Sequence, residues 1–201
     1  YRELAGAGGA AITVHYESSN RVTLCATNSV AGRLEDLQDV LGEGPGHTAS
    51  NSGQIERCAV PDGSSSRWPV FVDAARELVG SALVLAVPMN PDAEVFGVIT
   101  LYQSPQEQSP LSLDRHDLQF LANVVGAALV GDREATTTDL AGGPWASRAT
   151  IHQATGMVVA QLRVNPEDAL AVLRAHAYGM QSTLSDVASA VVERRITFSN
   201  P

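Results

Sequence analysis

From about residue 113 onward the apolar residues recur at helical spacing only, whereas the first hundred residues alternate strand-like and helix-like segments. That change of period predicts an α/β domain followed by an all-helical module, because runs of mixed elements and runs of helices close separate cores. In the first part, residues 10–17 (AAITVHYE) and 21–28 (RVTLCATN) alternate and are β-rich, and Ser18-Ser19-Asn20 between them reads as a hairpin turn. Residues 30–41 set Leu34, Leu37 and Leu41 at helical spacing. Gly42-Glu43-Gly44-Pro45-Gly46 then breaks the pattern, and 42–53 reads as a loop. A short strand over 55–60, a polar loop from Pro61 to Arg67, and a helix over 68–79 with Pro69 in its first turn come next. Strands follow over 81–88 and 95–102, parted by an Asn90-Pro91-Asp92 turn.

Residues 113–134 read as a helix entered through Ser112 as N-cap. Leu118, Leu121, Val125 and Ala128 repeat at 3-4-3 spacing, a narrow stripe suited to another helix, so Leu118, Leu121 and Val125 are the candidate dimer seam. Residues 135–144 (ATTTDLAGGP) have the composition of a linker. Beyond it, residues 145–163 carry Ile151, Ala154, Val158 and Leu162 on one face. Asn165-Pro166-Glu167-Asp168 starts a second helix that buries Leu170, Leu173 and Ala177, runs to about Tyr178 and is stopped by Gly179. Thr183 caps a third, with Asp186 at its third position and Leu184, Val187, Ala188, Val191 and Val192 turned inward.

Charge divides along the same line. Residues 1–144 hold 8 Arg against 18 Asp and Glu, or −10, while residues 145–201 hold 5 Arg against 4, or +1. The acidic part should repel nucleic acid, and the rest is free to touch phosphate. Every basic residue is Arg. Hydrophobic residues at 44% supply a real core, yet no apolar run reaches the roughly 18–20 residues a membrane span needs. Tyr1-Arg2-Glu3-Leu4 does not read as a signal peptide, which predicts a cytoplasmic protein without a membrane partner.

No catalytic arrangement stands out. Gly42–Gly46 lacks the Lys-Ser/Thr ending of a phosphate-binding loop, and Gly6-Ala7-Gly8-Gly9 precedes a strand instead of following one. His15, His47, His116, His152 and His176 show no metal-ligand spacing, and Cys25 and Cys58 read as a reduced, unpaired couple. Asp36 and Asp39 read as a solvated helix face, Trp68 as a core anchor, and Cys58 as structural. The expectation is a non-enzyme with no cofactor and no metal.

The words "LGEGPGHTASNSG" (41–53), "RWPVFVDAARELVG" (67–80), "SALVLAVPM" (81–89) and "VFGVITLYQSP" (95–105), in the order strand–strand–helix–strand–helix–strand–strand–helix, resemble a GAF domain of the kind that precedes helical output modules in actinobacteria. "SRATIHQATGMVVAQLRV", "NPEDALAVLRAHAYGM" and "TLSDVASAVVERRI", within 147–196, resemble an ANTAR domain, an RNA-binding three-helix module of bacterial antiterminators. The resemblance implies a GAF sensor over 1–134, a linker over 135–144 and an ANTAR domain over 145–201. It implies a homodimer that binds hairpin loops in nascent transcripts and relieves termination, under a small-molecule or protein signal at the GAF domain. The GAF half lacks the residue set of cyclic-nucleotide GAF domains, and neither cysteine has the context of a bilin attachment.

RNA contact is then expected at Arg148, Gln153, Ala154, Thr155, Gly156 and Arg174. Thr155 stands where many ANTAR domains have Lys, which removes a cation from that face. Two readings stay open for most of these: Ala154 and Gly156 serve close helix packing or RNA approach, and the two arginines are surface charges or phosphate contacts. Two rival functions follow from the same residues. The helical module could bind a protein instead of RNA, and a GAF fold could reduce free methionine sulfoxide if two thiols met at its pocket.

Overall fold

The computed structural model describes residues 7–16, 20–60, 67–91, 94–104, 114–135 and 146–199. Ser18, Ser19, Asp92, Ser112 and the linker residues 136–144 lie outside them, as does loop 61–66. The chain forms two compact units, 1–139 and 140–201.

The first unit is built on one antiparallel sheet. Its strands are β1 (Gly9–Tyr16), β2 (Asn20–Ala26), β3 (Glu56–Val60), β4 (Ala82–Met89) and β5 (Gly97–Gln103), ordered β2-β1-β5-β4-β3. The order follows from the two hairpins β1–β2 and β4–β5 joining edge to edge through β1 and β5, where Ile12 faces Ile99 and Ala11 faces Thr100. Helix α1 (Ser29–Leu41) begins at Asn28, whose side chain accepts the Ala31 amide at 2.9 Å and satisfies one of the free first-turn donors.

The segment expected to be a loop contains a helix, α2 (Pro45–Ser52). Its sequence, PGHTASNS, has no apolar period, so periodicity could not reveal it. Its boundaries are glycines at positive φ, Gly44 at 139° and Gly53 at 66°, and Pro45 takes the first helical position, where its missing N–H costs nothing. Packing supplies what periodicity does not: Ala49 is fully buried against Ala86 and Val98.

Helix α3 (Pro69–Val79) starts from Trp68, which cannot cap it; the Glu43 carboxylate, 28 residues away, accepts the Phe71 amide at 2.7 Å instead. With α1 it closes a core of Leu34, Leu37, Cys58, Val60, Trp68, Phe71, Val72, Ala75 and Val84 on one face of the sheet. Trp68 is the expected anchor, with its indole N–H donated to Thr48 Oγ1 at 2.9 Å.

Helix α4 (Arg115–Ala135) packs chiefly on β4. Asp114 accepts the Asp117 amide and so acts as its cap; the expected cap, Ser112, lies outside the described residues. The stripe turned to the sheet is Leu118, Ala122, Gly126 and Leu129, all buried, with Gln119 donating to the Pro88 carbonyl at 2.7 Å. Gly126 lets the helix approach, since a Cβ there would stand 3.1 Å from Met89 Cβ. Of the expected seam, Leu118 faces its own domain, Leu121 and Val125 are half-buried, and Ala128 is exposed beside Phe120 and Val124.

The second unit is three helices, α5 (Ala146–Leu162), α6 (Pro166–Gly179) and α7 (Leu184–Val192), each packed on the other two. Asn165 and Thr183 cap α6 and α7 as expected, accepting the Asp168 and Asp186 amides at 2.8 and 3.1 Å. Ile151, Ala154, Val158, Leu170, Leu173, Ala177, Val187, Ala188 and Val191 close the core. α6 ends at Gly179, but the left-handed residue that turns the chain is Gln181, at φ 52°. The C-terminal segment comes back onto the unit: the Phe198 amide is donated to Gln161 at 2.8 Å, and its ring stands edge-on to His176, 5.2 Å between centroids.

Candidate functional site

The residues expected to meet RNA divide by their angle around α5. Ala154 is fully buried and Thr155 nearly so, for they share a face with Ile151 and Val158. The Thr155 hydroxyl donates to the Ile151 carbonyl at 2.7 Å, so it is occupied within the helix. For Ala154 the packing reading holds, and Thr155 belongs to the inner face as well. Gln153 and Gly156, three residues apart, lie on the opposite face and are exposed. For Gly156 the packing reading fails: a Cβ there would meet nothing within 4 Å. Arg148 lies in the first turn of α5, with its side chain outside the described residues.

Arg174 on α6 is half-buried, between fully buried Leu173 and exposed Ala175. Other cations of the unit stand further out: Arg163 and Arg194 are exposed at φ 58° and 61°, and Arg195 pairs with Glu193 at 2.7 Å. Sequence reasoning missed Tyr178 and Met180, which are more than half exposed at the end of α6. The signal was available, since Tyr178 stands four residues after Arg174 and falls on the same side of the helix.

The first unit holds a second polar arrangement that the sequence reading placed in solvent. Asp36 is buried and the Asp39 side chain is 3% exposed. α1 turns Glu35, Gln38 and Asp39, spaced three and four apart, toward the sheet beside its leucine stripe. There Arg21 of β2 reaches Glu35 and Asp39, at 3.0 Å each. Glu35 also accepts from Thr13 Oγ1 and Gln38 Nε2, both at 2.8 Å, and Gln38 Oε1 accepts the Gly46 amide at 2.6 Å. An arginine bridging two carboxylates, with further donors on Glu35, is the kind of pairing a buried charge cluster needs to offset desolvation.

The Gly42–Gly46 run gains a reason here. A Cβ on Gly44 or Gly46 would come within 2.6 or 2.9 Å of Gln38 Oε1, so the turn into α2 fits against that side chain only without one. His15 of β1 contacts Ser50 of α2 through Nε2 and Oγ. Burial, with the charges of Arg21 and His47 behind it, lowers the His15 pKa and favours the neutral ring. The cluster ties β1, β2, α1 and α2 together; it holds no nucleophile–base–orienter series and among the described residues no group of metal ligands.

Cys25 is exposed on β2 and Cys58 buried on β3. These are the two edges of a five-stranded sheet, so roughly four strand spacings, about 19 Å, part them. They can form neither a disulfide nor a pair of thiols at one pocket.

Residues 145–192 match the model of the ANTAR domain. No curated protein matches the chain. Among solved structures, a GAF domain/HD domain protein from Geobacter sulfurreducens is 20% identical, with a TM-score of 0.43 over 64% of this chain and 86% of that one. The GAF3 domain of Slr1393 from Synechocystis sp., in its photoproduct state, is 19% identical, with a TM-score of 0.44 over 69% and 92%. An RNA-binding light-oxygen-voltage receptor is 15% identical, with a TM-score of 0.26, and this chain spans about half of it (47%) while being covered over 93% of its own length. The sheet and its flanking helices fit the GAF fold by their own topology, and the three C-terminal helices fit the matched module.

Proposed function

We propose that this chain, an ANTAR domain carried behind a GAF-type α/β domain, is a signal-responsive regulator that binds structured RNA and acts by transcription antitermination. The match of residues 145–192 to the ANTAR domain carries the reading. The three-helix surface supports it by exposing Gln153 and Gly156 and half-exposing Arg174, whereas residues 1–144, at −10, should repel phosphate. On this reading residues 1–134 are the sensor, 135–144 the linker and 145–201 the output module. RNA hairpin loops offer unstacked bases to a helical surface, and arginine takes the phosphates.

Two output modules in a dimer would engage two hairpins with the gain of effective concentration. The surface for that dimer is the outer face of α4, where Leu121 and Val125 flank exposed Phe120 and Val124. A signal at the first domain, a small molecule or a protein, would change how the two modules are presented. The site of action is the cytoplasm, where transcripts emerge, and no described helix is long and apolar enough to cross a membrane.

The test is a gel-shift titration of the full chain against hairpin RNAs drawn from a randomised-loop pool, repeated across salt. Affinity should fall linearly on a log–log plot, with a slope set by the number of phosphates neutralised. A chain that enriches no RNA from the pool, yet captures a protein through residues 145–201, would replace this reading with that of a protein-interaction module.

A further inference from the structure

The C-terminal unit fixes an aromatic ring in solvent. Tyr178 is 51% exposed and Met180 57%, although Leu173 and Ala177 of the same helix are fully buried. The backbone under Tyr178 is firmly held: the Met180 amide is donated to the His176 carbonyl, Gln181 to Tyr178 and Ser182 to Ala177, and the His176 ring meets Phe198. The ring is therefore presented from an ordered helix end. Exposed Ala171 and Ala175 flank the same outer side of α6 and leave low ground beside it, with Arg174 one turn earlier, about 6 Å along the axis. Asp186, which accepts from Thr183 at 2.7 Å, is the acid nearest in the sequence beyond the turn.

A flat π face, a small-residue floor and a guanidinium one turn away match an unpaired nucleotide: base on ring, phosphate on arginine. Bases in RNA loops are read in this way, by stacking on aromatic side chains. We propose that Tyr178 is the stacking platform for one unpaired base of the RNA loop, with Arg174 at the adjoining phosphate. The inference rests on the RNA-binding reading above and adds to it a residue on α6 that fixes the base's position.

The test uses the full chain and one hairpin RNA enriched from the randomised-loop pool by the wild-type protein. Tyr178→Ala should bind about tenfold more weakly or worse, while Tyr178→Phe keeps the flat face and should bind within about twofold of wild type. Tyr178→Leu keeps apolar bulk without the face and should resemble Ala. The log–log salt slope should be unchanged in Tyr178→Ala but shallower by roughly one unit in Arg174→Ala. Removing loop bases one at a time should reveal one abasic position that weakens wild type as much as Tyr178→Ala does, and that weakens Tyr178→Ala no further.

Wild-type affinity in Tyr178→Ala, rescue by Leu, or additive losses at every abasic position would overturn the proposal while RNA binding itself stood. Unchanged RNA binding with altered sedimentation of the protein would reassign the ring to a protein contact. If the wild-type chain enriches no RNA at all, the RNA-binding reading fails first and this inference with it.

Discussion

Arg21 on β2 lies 3.0 Å from Glu35 on α1, and the two side chains are 6% and 1% exposed. A buried pair of this kind is not a large net source of stability, but breaking it from one side is costly because the survivor keeps its charge in a poor solvent. Here the survivor would be two carboxylates, Glu35 and Asp39. Arg21→Ala should therefore destabilise the first domain by about 3–5 kcal/mol. The check is urea unfolding of the full chain in a Trp145→Phe background, followed through the first domain's Trp68. In the double variant Arg21→Ala/Glu35→Gln the loss should be smaller than in Arg21→Ala alone.

Acid should loosen the same region through His15. Its pKa is held below the ordinary 6.5 by burial first, then by Arg21 and His47. The folded state thus binds fewer protons than the unfolded one wherever the pH lies between the depressed value and 6.5. Stability is whole above 6.5, falls as pH drops through that interval, and levels below the folded pKa. Urea midpoints from pH 8 to pH 5 should show the decline, and His15→Gln should flatten it. An equal decline in the variant would assign the acid sensitivity to the carboxylates.

Much of this fold is legible in the sequence where side chains are large and periodic. β-rich runs, alternating in the first two, placed the five strands to within a residue or two, and Asn165 and Thr183 marked helix starts because their caps act locally. Small residues hid the rest. The stripe of α4 turned to the sheet passes through Ala122 and Gly126, small residues that give no strong periodic signal. α2 has no hydrophobic period, and its buried residues are the small or ring-locked Pro45, Gly46, Ala49 and Ser50. Asp39 looked solvated because its partner, Arg21, is 18 residues away on a strand. At the proposed RNA-facing surface, adjacency in the sequence put Ala154 and Thr155 with Gln153 and Gly156, while the 100° step of the helix divides them.

The outer face of α4 yields a prediction that leaves the monomer's own packing alone. Phe120 and Val124 are 62% and 50% exposed, one turn apart. Phe120→Glu/Val124→Glu should give a folded monomer by light scattering, with circular dichroism and melting temperature within the small range usual for surface changes. In a dimer the same charges would be buried unpaired, which is what excludes association. A variant that is folded and still dimeric would place the interface elsewhere.

Gly156 separates fold from function most cleanly. It sits inside α5, exposed, with nothing within 4 Å of where a Cβ would stand. Glycine at such a position is unfavourable relative to alanine by roughly 0.8–1 kcal/mol, since it loses more backbone freedom on folding. Gly156→Ala should therefore raise the stability of the C-terminal unit by about that amount. If RNA approaches the helix at this place, as proposed, the added methyl stands between backbone and ligand, and affinity for the enriched hairpin should fall even as the protein becomes more stable. Larger residues sharpen the contrast: Gly156→Leu should remain folded, because the space is open, and should bind worse than Ala. Paired measurement of melting temperature and hairpin affinity decides the matter. A more stable Gly156→Ala protein with unchanged affinity would remove this face of α5 from the RNA interface and leave α6, with Arg174 and Tyr178, as the surface to test.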